Sequence, residues 1–115
     1  MEHTTIKQQK NNYHMEIVFQ NTNFKADKKL LDLIETKLTK LEHFYDKIID
    51  ASVYLKVQKT DDKVNKILEI KMNVSNAILF VEQQDRTFEI ALDKAEDSLK
   101  AQLIKYKQKI VQQAY

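Results

Sequence analysis

Three consecutive segments near the middle of the sequence alternate apolar and polar residues, and this pattern constrains the fold more than any other feature. They are residues 48–59, 66–74 and 77–84. In the first segment, Ile49, Ala51 and Val53 alternate with polar neighbours and are predicted to face a core. Alternation with a period of two is typical of strands that bury one face. Three such strands at short spacing predict an antiparallel meander.

Two other segments have the spacing of amphipathic helices. Apolar residues recur every three or four positions over residues 27–44, where Asp27 is a suitable N-cap. The same spacing over residues 88–110 predicts a helix of about seven turns, with Asp85 as its N-cap. Residues 15–20, MEIVFQ, predict one more strand. The resulting order β-α-β-β-β-α predicts an α+β two-layer sandwich, with both helices on one face of a four-stranded sheet.

Length and composition set the domain organisation and exclude several classes of function. A chain of 115 residues is long enough for one domain with its own core. We predict that domain over residues 15–112, after a disordered N-terminal extension over the polar residues 1–14. Cysteine and glycine are absent, which excludes disulfides and glycine-rich phosphate-binding loops. Asn76 is therefore predicted to take the positive-φ place of glycine in a turn after Ser75. No apolar run is long enough to cross a bilayer, so no membrane partner is expected.

The sequence contains no recognisable catalytic or metal-binding motif. His3 and His14 lie in the predicted extension, and His43 follows Glu42 directly on a predicted helix. Adjacent helical residues point in different directions, so that pair forms no catalytic dyad. The serines lack a nucleophile motif, and the histidine spacing matches no zinc site. We therefore expect a protein that is not an enzyme, with no metal, no cofactor and no small-molecule substrate.

Positive charge is concentrated on one flank of each predicted helix, although the formal net charge is only +2. Projection at about 100° per residue leaves one acid-free flank on each helix. These flanks carry Lys29, Lys37 and Lys40 on the first helix and Lys94, Lys105 and Lys109 on the last. Such flanks are typical of surfaces that bind nucleic-acid phosphates. The helix macrodipole also favours lysines late in a helix, which leaves open a protein–protein interaction module with solubilising lysines and no RNA target.

Two quoted segments carry a family resemblance. Residues 37–59, KLTKLEHFYDKIIDASVYLKVQK, contain a helix end followed by the strand pattern I-I-x-A-x-V-x-L. Residues 82–109, EQQDRTFEIALDKAEDSLKAQLIKYKQK, form the predicted closing helix and the strand end before it. Both segments resemble the ribosome hibernation promoting factors, also called ribosome-associated inhibitors or ribosomal subunit interface proteins. The resemblance covers residues 15–110, with the two segments in the family's order.

The resemblance implies both a fold and a function. Family members have the β-α-β-β-β-α fold, which is related to double-stranded-RNA-binding domains, and they bind the small ribosomal subunit near the decoding centre. We therefore expect a cytoplasmic ribosome hibernation factor that contacts rRNA, blocks mRNA and tRNA binding and stops translation under stress or in stationary phase. The chain resembles the short type of the family, without a C-terminal dimerisation domain, and is expected to be monomeric when free.

The resemblance and the basic flanks together nominate the rRNA-binding residues. They are Lys29, Lys37, Lys40, Arg86, Lys94, Lys100, Gln102, Lys105, Lys107 and Lys109. Lys37 and Lys40 occupy basic positions of the first quoted segment, and Gln102 matches a family glutamine. Ser98 and Ala101 stand where many members have lysine or arginine. That departure is expected to weaken rRNA affinity or to shift the contacts.

Overall fold

The computed structural model describes residues 3–8, 15–22, 24–60 and 63–113. Within them the elements are β1 (His3–Gln8), β2 (Glu16–Thr22), α1 (Lys28–Lys40), β3 (Ile48–Val57), β4 (Lys66–Val74), β5 (Ala77–Asp85) and α2 (Phe88–Gln113). A 3-10 turn over Leu41–His43 continues α1. The predicted α+β fold class, with two helices and four strands in the order β-α-β-β-β-α, is confirmed. One additional strand, β1, precedes them.

The strands form one sheet in the order β1-β2-β3-β4-β5. β2 and β3 run parallel, whereas all other neighbouring pairs are antiparallel. A parallel pair needs a crossover connection, and α1 lies in the segment that provides it. The antiparallel run β3-β4-β5 is the meander that the alternating segments predict. No helix in the described part of the chain is both long enough and apolar enough to span a bilayer.

β1 lies within the segment that was predicted to be disordered. His3–Gln8 pairs antiparallel with β2, from His3 opposite Thr22 to Gln8 opposite Ile17. Without this partner β2 would be an edge strand with unpaired N–H and C=O groups, and the backbone pairing satisfies them. The polar sequence of β1 gave no sign of it, because backbone hydrogen bonds do not require an apolar pattern. The structure therefore differs from the prediction over residues 3–8, while the rest of residues 1–14 lies outside the described residues.

One core joins the inner face of the sheet to both helices. Its largest fully buried side chains are Ile17, Phe19, Ile34, Leu38, Leu41, Leu55, Leu68, Ile70, Met72, Leu92, Leu99 and Leu103. Burying an aliphatic side chain of this size contributes about 1.5–3 kcal/mol. Because α1 and α2 supply residues to the same cluster as one face of every strand from β2 to β5, both helices cover that face. In the described part of the chain no helix covers the opposite face, which is the open face of the sheet.

A β-bulge interrupts the alternation at the start of β3. Ile48 is opposite Val74 and Asp50 is opposite Asn73, so Ile49 is the extra residue. A bulge turns the side chains that precede it to the other face of the sheet. Ile48 is consequently buried and Ile49 is 59% exposed. The prediction that Ile49 faces the core is therefore wrong.

The helix starts follow from side-chain caps. The Leu30 backbone N–H donates to Asp27 Oδ1 at 2.8 Å, which confirms the predicted cap of α1. For α2 the cap is Thr87, whose Oγ1 accepts from the Ile90 N–H at 3.1 Å. Asp85 is the last residue of β5, so the prediction of Asp85 as the N-cap is wrong. Asn76 has a φ of 68°, which confirms its predicted role in the turn between β4 and β5.

Candidate nucleic-acid interface

Lys37, on the basic flank of α1, meets acidic side chains of α2. Lys37 Nζ lies 2.9 Å from Asp93 Oδ1 and 3.6 Å from Glu96 Oε1, and the lysine side chain is only 25% exposed. The hydrogen bond to Asp93, assisted by the charge of Glu96, raises the pKa of Lys37 above its usual 10.5 despite partial desolvation. A phosphate at Lys37 would have to compete with two carboxylates. Lys37 therefore holds the two helices together in this structure.

The acid-free flank of α2 lies along β5, on the side away from α1. Lys94 Nζ is 2.6 Å from Asp85 Oδ2 at the end of β5. This hydrogen bond, followed by one from the Arg86 backbone N–H, holds the pKa of Asp85 below its usual 3.8. Gln102 Nε2 donates to the Phe80 carbonyl oxygen at 3.1 Å, which fixes the helix to the same strand further along. The two basic flanks consequently do not merge into one continuous surface.

Lys100 approaches the segment that connects α1 to β3. Its Nζ lies 4.6 Å from the centroid of the Phe44 ring, a distance suited to a cation–π interaction. The ammonium group itself remains in an exposed side chain. Lys100 therefore lies on the side of α2 that faces the segment after α1.

The end of α2 extends past the sheet. The Tyr106 hydroxyl donates to the Ser75 carbonyl oxygen at 2.7 Å, at the turn between β4 and β5. Residues 107–113 continue the helix beyond this contact, for about 10 Å at 1.5 Å per residue. Lys105, Lys107 and Lys109 are exposed around this contact and beyond it. Their charges are therefore accessible from several directions.

The ten nominated residues fall into two groups by exposure and pairing. Seven are exposed and form no ion pair with any residue that the structure describes: Lys29, Lys40, Arg86, Lys100, Lys105, Lys107 and Lys109. Lys94 is exposed and paired, whereas Lys37 and Gln102 are half-buried and bonded within the protein. The structure thus presents most of the nominated cations to solvent, and three residues have structural partners.

Lys47 is a basic residue that the sequence reasoning did not nominate. It lies between the 3-10 turn and β3, outside the basic flanks of the two helices. In the structure, Lys47, Lys107 and Lys109 line one cleft of about 860 Å³. We call these three residues the end cluster. The sequence did contain a signal that could have nominated Lys47, because this residue comes shortly after the aromatic pair Phe44-Tyr45 within the first quoted family segment.

Metal chemistry finds no support in this geometry. Among the residues with described positions, no group of three or more His, Asp or Glu side chains is placed to hold a metal ion. The exposed nominated cations are ammonium groups and one guanidinium group, and lysine acts as a point charge for phosphate. The arrangement is suited to contacts with a nucleic-acid backbone rather than to reading base edges.

Comparison with known proteins identifies the relatives of this chain. Residues 17–111 match the family model described as "Sigma 54 modulation protein / S30EA ribosomal protein". The "Ribosome hibernation promoting factor" of Azotobacter vinelandii is 31% identical over 83 residues, which cover 72% of this chain and 74% of that protein. The "Ribosome hibernation promotion factor" of Deinococcus radiodurans is 31% identical over 93 residues, 79% of this chain but 48% of that protein. The chain therefore spans about half the length of the second relative.

A solved structure supports the fold independently. The "ribosomal subunit interface protein from Coxiella burnetii" superposes with a TM-score of 0.69 at 19% identity, covering 83% of this chain and 98% of the other. Sequence identity at that level supports the fold alone, and the family relationship rests on the sequence matches. Since the family model spans most of the chain and a relative at 31% identity is covered over 74% of its length, this chain belongs to the ribosome hibernation promoting factor family.

Proposed function

We propose that the protein is a hibernation factor that binds the small ribosomal subunit near the decoding centre. Its lysines contact rRNA phosphates there, and the folded body blocks mRNA and tRNA binding, so that translation stops in the cytoplasm. Membership of a family whose relatives carry the name ribosome hibernation promoting factor supports a ribosome-associated role. The same family membership supports a binding factor that is not an enzyme.

The observation that carries the proposal is the set of exposed basic groups without ion-pair partners within the described structure. Lys40 on α1 and Lys105 on α2 represent the two helices, and both are exposed. Each ammonium group that meets a phosphate releases condensed counterions, so affinity falls with salt in proportion to the number of contacts. Paired cations such as Lys94 release less, because their charge is already compensated by a carboxylate. We therefore assign the main contacts to the unpaired group.

The proposed mechanism is occlusion by a rigid body. The molecule measures 52 × 30 × 21 Å along its principal axes. One continuous core joins the sheet and both helices, so the whole body occupies its site as a unit. A body of this size excludes other macromolecules from a channel that it fills, and no chemical step is needed. The lysines provide affinity, and the folded volume provides inhibition.

A charge-matched pair of double variants tests the proposal. Lys40→Gln/Lys105→Gln removes two exposed charges from the helices, and Lys56→Gln/Lys71→Gln removes two exposed charges from the open face of the sheet. Binding to small subunits is measured by co-sedimentation over a series of salt concentrations. We expect the helix variant to lower the log–log salt slope by about 1.5, since each lost contact removes about 0.7–0.9. The sheet variant should keep the slope of the original protein.

The alternative function is a protein–protein interaction module, and one observation favours it. The open face of the sheet exposes the large apolar side chains of Ile49, Ile78 and Phe80. Under this alternative, the lysines only maintain solubility, so both double variants should bind ribosomes with unchanged salt slopes. Equal slopes for the two variants and the original protein would therefore reject the proposed rRNA contact.

A further inference from the structure

A cleft opens where α2 extends past the sheet. Residues 42–47 form one side, Ser75 and Asn76 form the second, and α2 from Tyr106 onwards forms the third. Its volume of about 860 Å³ falls within the range of about 300–1,000 Å³ that is usual for sites of small ligands. The cleft is open to solvent on the side of the end cluster. A flat group with a charged tail can therefore enter it.

The aromatic walls of the cleft are held in place by contacts within the protein. The Tyr106 hydroxyl is bonded to the Ser75 carbonyl oxygen, and the Tyr106 ring meets the Tyr45 ring edge to face at a centroid distance of 5.9 Å. Phe44 also lines the cleft, and Lys100 lies over its ring. Fixed walls lower the cost of ordering a site when a ligand binds. The cleft is thus formed before any ligand arrives.

The charges of the cleft specify a ligand with both acceptors and donors. The ammonium groups of Lys47, Lys107 and Lys109 are exposed and have no ion-pair partner in the part of the chain that the structure describes. Asp46 lines the same cleft, and its carboxylate accepts hydrogen bonds. A phosphate satisfies the lysines, a base amino group satisfies a carboxylate, and the base ring fits against the aromatic walls.

We propose that this cleft binds one unpaired nucleotide of single-stranded RNA. The end cluster holds its phosphate, and its base enters between Phe44 and Tyr106. In a duplex the bases remain stacked and paired, whereas unpaired bases are free to leave the strand and stack on aromatic side chains. The inference rests on the proposed function, and it adds that the RNA target offers an unpaired nucleotide beside the helical backbone that the other lysines contact.

Nuclear magnetic resonance titration of the full chain tests the proposal with four probes. They are a single-stranded RNA hexanucleotide, a blunt-ended RNA duplex that contains the same sequence, a nucleoside 5′-monophosphate and inorganic phosphate. We expect the single strand and the monophosphate to shift the ring signals of Phe44 and Tyr106 and the amide of Asn76. The duplex and inorganic phosphate should leave both ring signals unchanged. Equal ring shifts with the single strand and the duplex would overturn the proposal.

A matched pair of variants checks the phosphate contacts. Lys47→Gln/Lys107→Gln removes two charges of the end cluster, and Lys56→Gln/Lys71→Gln removes two exposed charges from the open face of the sheet, outside the cleft. We expect the first variant to weaken hexanucleotide binding at the cleft by about tenfold, at a factor of up to about five per exposed charge contact. The second variant should change it by less than about twofold. Equal weakening by both variants would contradict a built site.

The two proposals fail in different ways. If the Lys40→Gln/Lys105→Gln variant loses ribosome binding while the hexanucleotide leaves the Tyr106 ring unshifted, the cleft proposal is wrong and the proposed function stands. If the original protein does not co-sediment with small subunits, the proposed function is wrong and the cleft proposal falls with it. The variants change only exposed lysines, so we expect all of them to fold. The dispersion of the amide signals checks that they do.

Discussion

Replacing Lys37 with methionine tests whether one charged side chain ties α1 to α2. The substitution keeps most of the aliphatic stem and removes the ammonium group that lies 2.9 Å from Asp93 and 3.6 Å from Glu96. An ion pair near the surface contributes about 0.2–1 kcal/mol to stability. Because Lys37 has two partners and is only a quarter exposed, we expect a loss of about 1 kcal/mol in the free energy of unfolding.

The expected loss is measurable by thermal unfolding. A change of 1 kcal/mol shifts Tm by about 4–8 °C in a domain of about 100 residues, so Lys37→Met should lower Tm by about 4 °C at neutral pH. The folded pKa of Lys37 is raised above 10.5, so the ion pair stabilises the protein fully below that pH. The stabilisation is lost as pH rises through the raised pKa. The difference between variant and original protein should therefore vanish in strong alkali.

Lys40→Met is the matched control, one turn further along the same helix. Lys40 is exposed and has no ion pair with any described residue, so its loss should change stability by less than about 0.5 kcal/mol. Combining Lys37→Met with Glu96→Gln should cost less than the sum of the single changes, because both remove the same contact. Equal Tm values for Lys37→Met and Lys40→Met would refute the interhelical role of Lys37.

Two further predictions concern the sheet and the start of α2. Glu69 and Glu82 are cross-strand neighbours, and a hydrogen bond between them raises the pKa of Glu69 above its usual 4.5. Because the pKa of Glu69 is raised in the folded protein, the free energy of unfolding falls as pH rises through the raised pKa. Glu82→Gln should therefore gain about 0.5 kcal/mol of stability at pH 7 and less at pH 4, as measured by urea unfolding. Thr87→Ala removes the acceptor of the Ile90 N–H and should cost about 1 kcal/mol in the same assay. Thr36→Ala, on an exposed position within α1, should cost nothing; an equal loss at both sites would contradict the assigned cap.

The strands were predictable where the local pattern alone decides the structure. β4 begins at Lys66 and ends at Val74, as the alternation indicates, because its alternate residues Leu68, Ile70, Met72 and Val74 face the core. Ile49 was not predictable in the same way. Its exposure depends on a bulge in the pairing between β3 and β4. The pairing register depends on both strands together, so the sequence of one strand does not predict it. The same limit explains Asp85, since β5 remains paired up to that residue opposite Lys66.

The sequence predicted which charged residues belong to the candidate site. It did not predict how they are placed relative to one another and to their partners. Helical projection identified the acid-free flanks, and Lys40 and Lys105 are exposed as expected. Projection cannot show what stands opposite a flank, so the ion pairs of Lys37 with α2 came only from the packing of the two helices. Lys47 was missed because a loop residue has no periodicity. Its place beside Lys107 depends on how far α2 extends past the sheet.

The hydrogen bond from Gln102 to Phe80 has a consequence for the protein at high concentration. β5 is the outermost strand of the sheet, and exposed carbonyl groups on such a strand are templates for joining one molecule to the next. Gln102 occupies one of these groups with its own amide, and α2 is held against the strand. The contact thereby protects this edge of the sheet against self-association, and Gln102→Ala should increase aggregation at high protein concentration.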